Sequence, residues 1–166
     1  MNRLHFLWAI LPCIVAEALV AEPVAPAPNG INLPPGYQNW PIVTLLQRPD
    51  SGTLRAVIGN EVAMSAVRQG RIQPWPDGAI LGKLIWNAKI RPDWENAVVP
   101  GRFLDVEFMI KDREKFAATG GWGYARWSGK RLTPYGDDAK FEQECFSCHA
   151  QAKEHDYVFN EPAPLP

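Results

Sequence analysis

The sequence predicts an α+β domain built mainly on an antiparallel β-sheet, with a few helices packed against it. Three observations carry that expectation. Apolar and β-branched runs recur between clusters of Gly, Pro, Asn and Asp, the punctuation of strands and turns. Only short stretches show helical spacing. A composition 46% hydrophobic and 21% charged suits one globular domain rather than a disordered or membrane-embedded chain.

From the N-terminus, Arg3 and His5 precede the apolar run Phe6 to Val15, and small residues follow to Ala18 or Ala21. Residues 1–21 therefore read as an export signal, and the run is too short for stable insertion across a bilayer. A retained anchor or a buried helix is the competing reading. If the signal is removed, Cys13 leaves with it, and Cys145 and Cys148 are the cysteines of the mature chain. Residues 22–35 are rich in Pro and Ala and read as an extended leader with little fixed structure before about Gly36. Residues 36–166 make up the predicted domain.

Within that domain, Trp40 to Gln47 and Thr53 to Ile58 read as strands. Asn60 is placed to cap a helix over Glu61 to Arg68, where Val62, Ala63, Ala66 and Val67 recur at helical spacing and Gly70 ends the element. The turn Pro74-Trp75-Pro76-Asp77-Gly78 launches a long apolar run, Ala79 to Ile90. Arg102 to Ile110 and Trp122 to Trp127 complete three consecutive strands. A short helix is expected over Asp112 to Ala117, and a second over Asp137 to Lys153. The tryptophans suit core and sheet packing.

The C-terminal helix carries the most specific pattern, Cys145-Phe146-Ser147-Cys148-His149, the Cys-x-x-Cys-His spacing of c-type haem attachment. Two thiols three positions apart suit the two haem vinyl groups, and His149 offers an imidazole to iron. Other readings compete: chance, a dithiol redox pair, or a zinc site completed by His155. Haem attachment to paired thiols takes place outside the cytoplasm in bacteria, which agrees with an exported, periplasmic chain. A formal net charge of −1 gives no support for binding nucleic acid or an anionic membrane surface.

No methionine follows His149, so a second protein ligand to iron has to come from upstream, where Met64 and Met109 are the candidates. His155 is too near His149 in sequence to reach the opposite side of a ring. A five-coordinate iron with an open side follows, and an open position points to ligand binding or chemistry rather than pure electron transfer. Lys83 is unusual as an interruption of an apolar strand, because a lysine is seldom buried without a reason; its head reaching solvent is the simpler alternative. Asp77 suits the turn itself or a pairing with Lys83. Arg55 is a candidate for a haem propionate, since its planar fork matches a carboxylate.

Leu54 to Asn60, Trp75 to Ala79 with Lys83, Lys111-Asp112, Gly121-Trp122-Gly123, and Cys145 to His149 followed by Asp156 to Phe159 together resemble the cytochrome P-460 family, which includes the cytochromes c′-beta. The resemblance covers roughly residues 36 to 160. It implies a mainly antiparallel fold, a periplasmic homodimer and a five-coordinate haem c. In hydroxylamine-oxidising members a lysine is also bonded to the porphyrin, and Lys83 stands at the matching position. The implied function is oxidation of hydroxylamine or another small nitrogen compound, with electrons passed to an acceptor cytochrome. A hydroxylamine-oxidising site implies a proton acceptor on the open face, for which Glu107 and Glu144 are the candidates. The alternative implied by the c′-beta members is binding of nitric oxide or carbon monoxide without turnover, under a cap of phenylalanines for which Phe103 and Phe108 are the candidates.

Overall fold

The computed structural model describes residues 23–164. The expected export signal, residues 1–21, lies outside that range. Six strands follow one another as an antiparallel meander: β1 (Ile42–Arg48), β2 (Thr53–Gly59), β3 (Ile80–Ile90), β4 (Val98–Lys111), β5 (Trp122–Ser128) and β6 (Thr133–Pro134). Helix α1 (Glu61–Arg68) fills the β2–β3 connection, and α2 (Phe141–His149) follows the sheet and runs into a 3-10 turn over Ala150–His155. The architecture is thus the α+β arrangement expected. No helix among the described residues is long and apolar enough to cross a membrane.

Asn60 organises the β2–α1–β3 corner. Its Oδ1 accepts from Ala63 N at 2.9 Å, which caps α1, and from Ile80 N at 3.0 Å, while its Nδ2 donates to Gly78 O at 2.8 Å. The helix then buries Ala63 and Ala66 against the sheet. A side chain at Gly59 would come within 3.1 Å of Ala63 Cβ, so the glycine permits this close approach.

Strand alternation divides the core in two. One face gathers Val57, Leu81, Tyr124 and Met109 under α1, Trp75, Trp122 and Val158. The other gathers Ile58, Val106, Phe108, Ala125 and Trp127. On the first face the register aligns Val57 with Lys83, Lys83 with Glu107, and Glu107 with Arg126, forming one row across four strands.

Two expectations are corrected. The leader is not loosely held: Ala27 and Ile31 are 2% and 5% exposed, Trp127 Nε1 donates to Ala25 O at 2.9 Å, and Asn29 Nδ2 donates to Tyr124 O at 2.9 Å. Its prolines prevent regular structure but not burial against the second face of the sheet. Nor do Asp112 to Ala117 form a helix. Asp112 Oδ1 accepts from Lys115 N at 2.9 Å, but the turn passes into a 3-10 segment, Ala117–Thr119, and stops at Gly120 and Gly121, whose φ angles are 70° and 82°.

Candidate functional site

Helix α2 is fixed at its start by its first two residues. Phe141 is buried edge-on to Tyr135, at 6.2 Å between centroids. Glu142 Oε1 accepts from Tyr124 N at 3.0 Å, a β5 donor that short β6 leaves unpaired. Cys145, Cys148 and His149 stand at i, i+3 and i+4 and so share one side of the helix. Both cysteines are free, Cys145 half-buried and Cys148 exposed.

The imidazole is held by its surroundings. His149 Nδ1 lies 2.7 Å from the Tyr157 carbonyl oxygen, which can only accept, so Nδ1 carries the proton and Nε2 keeps its lone pair for a metal. The Tyr124 and Phe159 rings flank the imidazole at 5.1 and 5.2 Å. Burial pushes the His149 pKa below its ordinary value, with the Tyr157 bond opposing, so the neutral ligand form is favoured. Burial likewise pushes the neighbouring Tyr124 phenol well above its usual range and keeps it uncharged.

Cys145, Cys148 and His149 line a cavity of about 480 Å³ together with Arg55, Lys83, Glu107, Arg126 and Glu144. Lys83 Nζ lies 2.5 Å from Glu107 Oε2, and Arg126 Nε approaches Glu107 Oε1 at 4.0 Å. Arg126 is itself held by Asp105 through bonds of 3.2 and 2.9 Å and stacks over Tyr135 at 4.4 Å. Tyr135 donates to Glu144 Oε2 at 3.2 Å. A charged chain therefore runs along one wall from Lys83 to Glu144. Arg55 donates to Thr53 Oγ1 at 3.0 Å and Ser51 Oγ at 3.3 Å, and it has no carboxylate partner among the described residues. Its other N–H donors are available to an acidic group.

Every candidate acid and base from the sequence thus meets the attachment helix in one cavity, while the other candidates are distributed differently. Met109 lines the cavity but Met64 does not, being packed in the core against α1's side of the sheet. Phe108 borders the cavity but is 1% exposed, and its ring packs on the opposite face against Tyr37, Trp40 and Trp127. Phe103 packs on Trp86 at 6.1 Å, away from the cavity lining. Asp77 neither pairs with Lys83 nor serves the turn alone, because it binds Arg113 through Nε at 2.9 Å and the backbone N at 3.0 Å. His155 meets Gln73 at 3.1 Å, and among the described residues no three His, Cys, Asp or Glu side chains form a metal cage. Tyr157 and Phe159 stand out in the sequence only as part of the family-like run Asp156 to Phe159, without a role, and Arg126 not at all. The first acts through its backbone carbonyl, which no residue type announces.

Two thiols on one side of a helix, an imidazole with Nε2 free, and a cavity in the range of cofactor sites form a donor set that fits a covalently attached haem. Fold and site define a single-haem c-type cytochrome built on an antiparallel sheet. Residues 34–160 match the family model for Cytochrome P460, and the chain belongs to that family. No curated protein is similar enough to this chain to count as a match.

The two thiols are unequal before attachment. Burial, with a smaller contribution from Glu107, pushes the Cys145 pKa up to about 11. Only on the order of one thousandth of it is thiolate at pH 8. In protein made without haem attachment, iodoacetamide at pH 8 is expected to label exposed Cys148 and spare Cys145. Labelling of Cys145 should rise as pH approaches 11; equal labelling at pH 8, read by peptide mass, would contradict this.

Proposed function

We propose that this cytochrome is an exported periplasmic oxidoreductase, with one open axial position, that takes electrons from hydroxylamine or another small nitrogen compound and passes them to an acceptor cytochrome. The observation that carries the proposal is the placement of Lys83 beside Glu107, at 2.5 Å, in the cavity that also holds the attachment residues. Among the described residues, Lys83 is the only lysine lining that cavity. Bound haem supplies a redox-active iron and an open coordination position. The chain's own contribution is to hold and move protons. Glu107 is a carboxylate on the cavity wall beside Lys83, and oxidation of an N–H or O–H bond must release protons as well as electrons. Arg126 and Lys83 keep that carboxylate in place. Arg55 is assigned to a propionate, since its free donors face the same cavity. Export rests on residues 1–21, and the homodimer rests on the family resemblance.

The c′-beta-like alternative, capture of nitric oxide without turnover, draws on the apolar part of the wall, Leu81, Val57 and Met109. Of the two phenylalanines expected as a cap, Phe103 lies outside the cavity lining, and Phe108 borders it with its ring packed on Tyr37, Trp40 and Trp127. Tryptic digestion of haem-loaded protein separates the readings. Trypsin cannot cut after a lysine whose Nζ is bonded to porphyrin, so the peptide from Ile72 to Lys89 should stay whole and remain with the haem. Glu107→Gln should slow hydroxylamine oxidation by about 10²- to 10⁴-fold while leaving haem attachment intact. Protein that binds nitric oxide but does not consume hydroxylamine, and that releases a free peptide ending at Lys83, would overturn the enzymatic reading.

A further inference from the structure

The carbonyl that receives the His149 proton sits in an unusual piece of backbone. Asp156 and Tyr157, neither of them glycine, are consecutive residues with φ of 51° and 65°. Such a conformation persists only where the surroundings over-determine it. Here three separate segments converge on Asp156. Its Oδ1 pairs with Lys111 Nζ at 2.7 Å, its Oδ2 accepts from Trp75 N at 2.8 Å, and its backbone oxygen accepts from Trp122 Nε1 at 2.8 Å.

Lys111 is an expensive residue in this position. Its side chain is 2% exposed, and it also reaches Gly120 O at 3.3 Å and lies over the Trp122 ring at 4.8 Å. The Tyr157 ring closes the arrangement: a side chain at Gly120 would fall 2.2 Å from its Cε2. A buried ion pair is poor evidence for stability by itself, because well-packed apolar residues often do as well. Its value in this chain lies in what it holds.

We propose that Asp156 and Lys111 are positioning residues for the axial imidazole. The pair keeps the Asp156–Tyr157 backbone in its left-handed conformation, and the Tyr157 carbonyl then holds the His149 Nδ1–H. That bond fixes the ring orientation and raises the electron-donating power of Nε2 toward iron. The inference rests on haem c attachment and is independent of which substrate is used. A protein that failed to oxidise hydroxylamine would therefore overturn the preceding section and leave this one standing.

The test uses full-chain, haem-loaded Asp156→Asn and Lys111→Met, with Val106→Ala as a control destabilised on the opposite face of the sheet. Asparagine sets an N–H donor against either Lys111 or the Trp75 N–H, so the turn is expected to relax and the Nδ1–H bond to weaken. The ferrous iron–histidine stretching frequency should fall. The midpoint potential should rise by about a tenfold change in the reduced-to-oxidised ratio, about 59 mV for one electron. Val106→Ala should lower the melting temperature and move neither. If Asp156→Asn and Lys111→Met melt early but keep the wild-type frequency and potential, the pair is structural only and the proposal fails. Should those variants not mature, Trp122→Phe, which removes one hydrogen bond to Asp156 O, should shift both readouts in the same direction. Unchanged values there would overturn the proposal equally.

Discussion

In a Lys83→Met parent, which lacks any lysine bond to the porphyrin, serine at both Cys145 and Cys148 is expected to abolish covalent haem attachment completely: acid–acetone should extract all haem from the variant and none from that parent. The expectation follows from the placement of the sulfurs. They stand on one side of α2, three positions apart, and no other cysteine lies among the described residues to substitute for them. His149 remains aimed at the cavity in the variant because its partner is the Tyr157 carbonyl, which the substitutions do not touch. Haem loosely held by the imidazole is therefore compatible with the prediction, and haem resistant to extraction is not. A ligand bound to the folded chain alone stabilises it by mass action, so the variant should also melt at a lower temperature than the parent. Single substitutions should keep one thioether each and stay resistant to extraction.

The attachment helix and most strands were legible because their signals are local. Thr53 to Ile58 and Ala79 to Ile90 are apolar and β-branched runs bounded by turns, and Asn60 announces α1 by the capping bonds it makes. The cavity wall was not legible, because it depends on register. Lys83 meets Glu107 only once the β3–β4 pairing is known, and that pairing slips between Ile85 and Trp86 and again between Trp86 and Ala88. No count through the connecting loop would have recovered it. One part was available and overlooked. Glu107 and Phe108 are neighbours in a strand, so alternation sends them to opposite faces, and both cannot look onto the iron. The structure turns Glu107 to the cavity and Phe108 to the core behind it.

The Asp156–Tyr157 turn illustrates a different limit. Its sequence contains no glycine to announce a left-handed backbone, and its conformation is imposed by Lys111, Trp75 and Trp122, which lie far away in the chain. The family resemblance picks out Lys111 and Asp156 but gives neither a role. Only their burial together supplies one.

Truncation to the family-matched segment is expected to cost a large share of the fold's stability. The match begins at residue 34, yet the sheet's second face is sealed by residues before it. A chain starting at Pro34 loses the buried side chains of Ala27 and Ile31 and the Ala25 carbonyl that receives Trp127 Nε1–H. Exposing an isoleucine's worth of apolar contact costs about 1.5–3 kcal/mol, and an indole N–H left without its partner costs about 1–3 kcal/mol more. Together that is about 2.5–6 kcal/mol, against a total of about 5–15 kcal/mol for a typical domain. Urea denaturation of haem-loaded chains beginning at Pro23 and at Pro34 measures the difference directly. The shorter chain should unfold at a clearly lower midpoint, with Trp127 fluorescence already shifted toward that of a hydrated indole before unfolding begins. Coincident midpoints would show that the leader merely rests on the sheet, and that Trp127, Tyr37 and Phe108 close the second face without it.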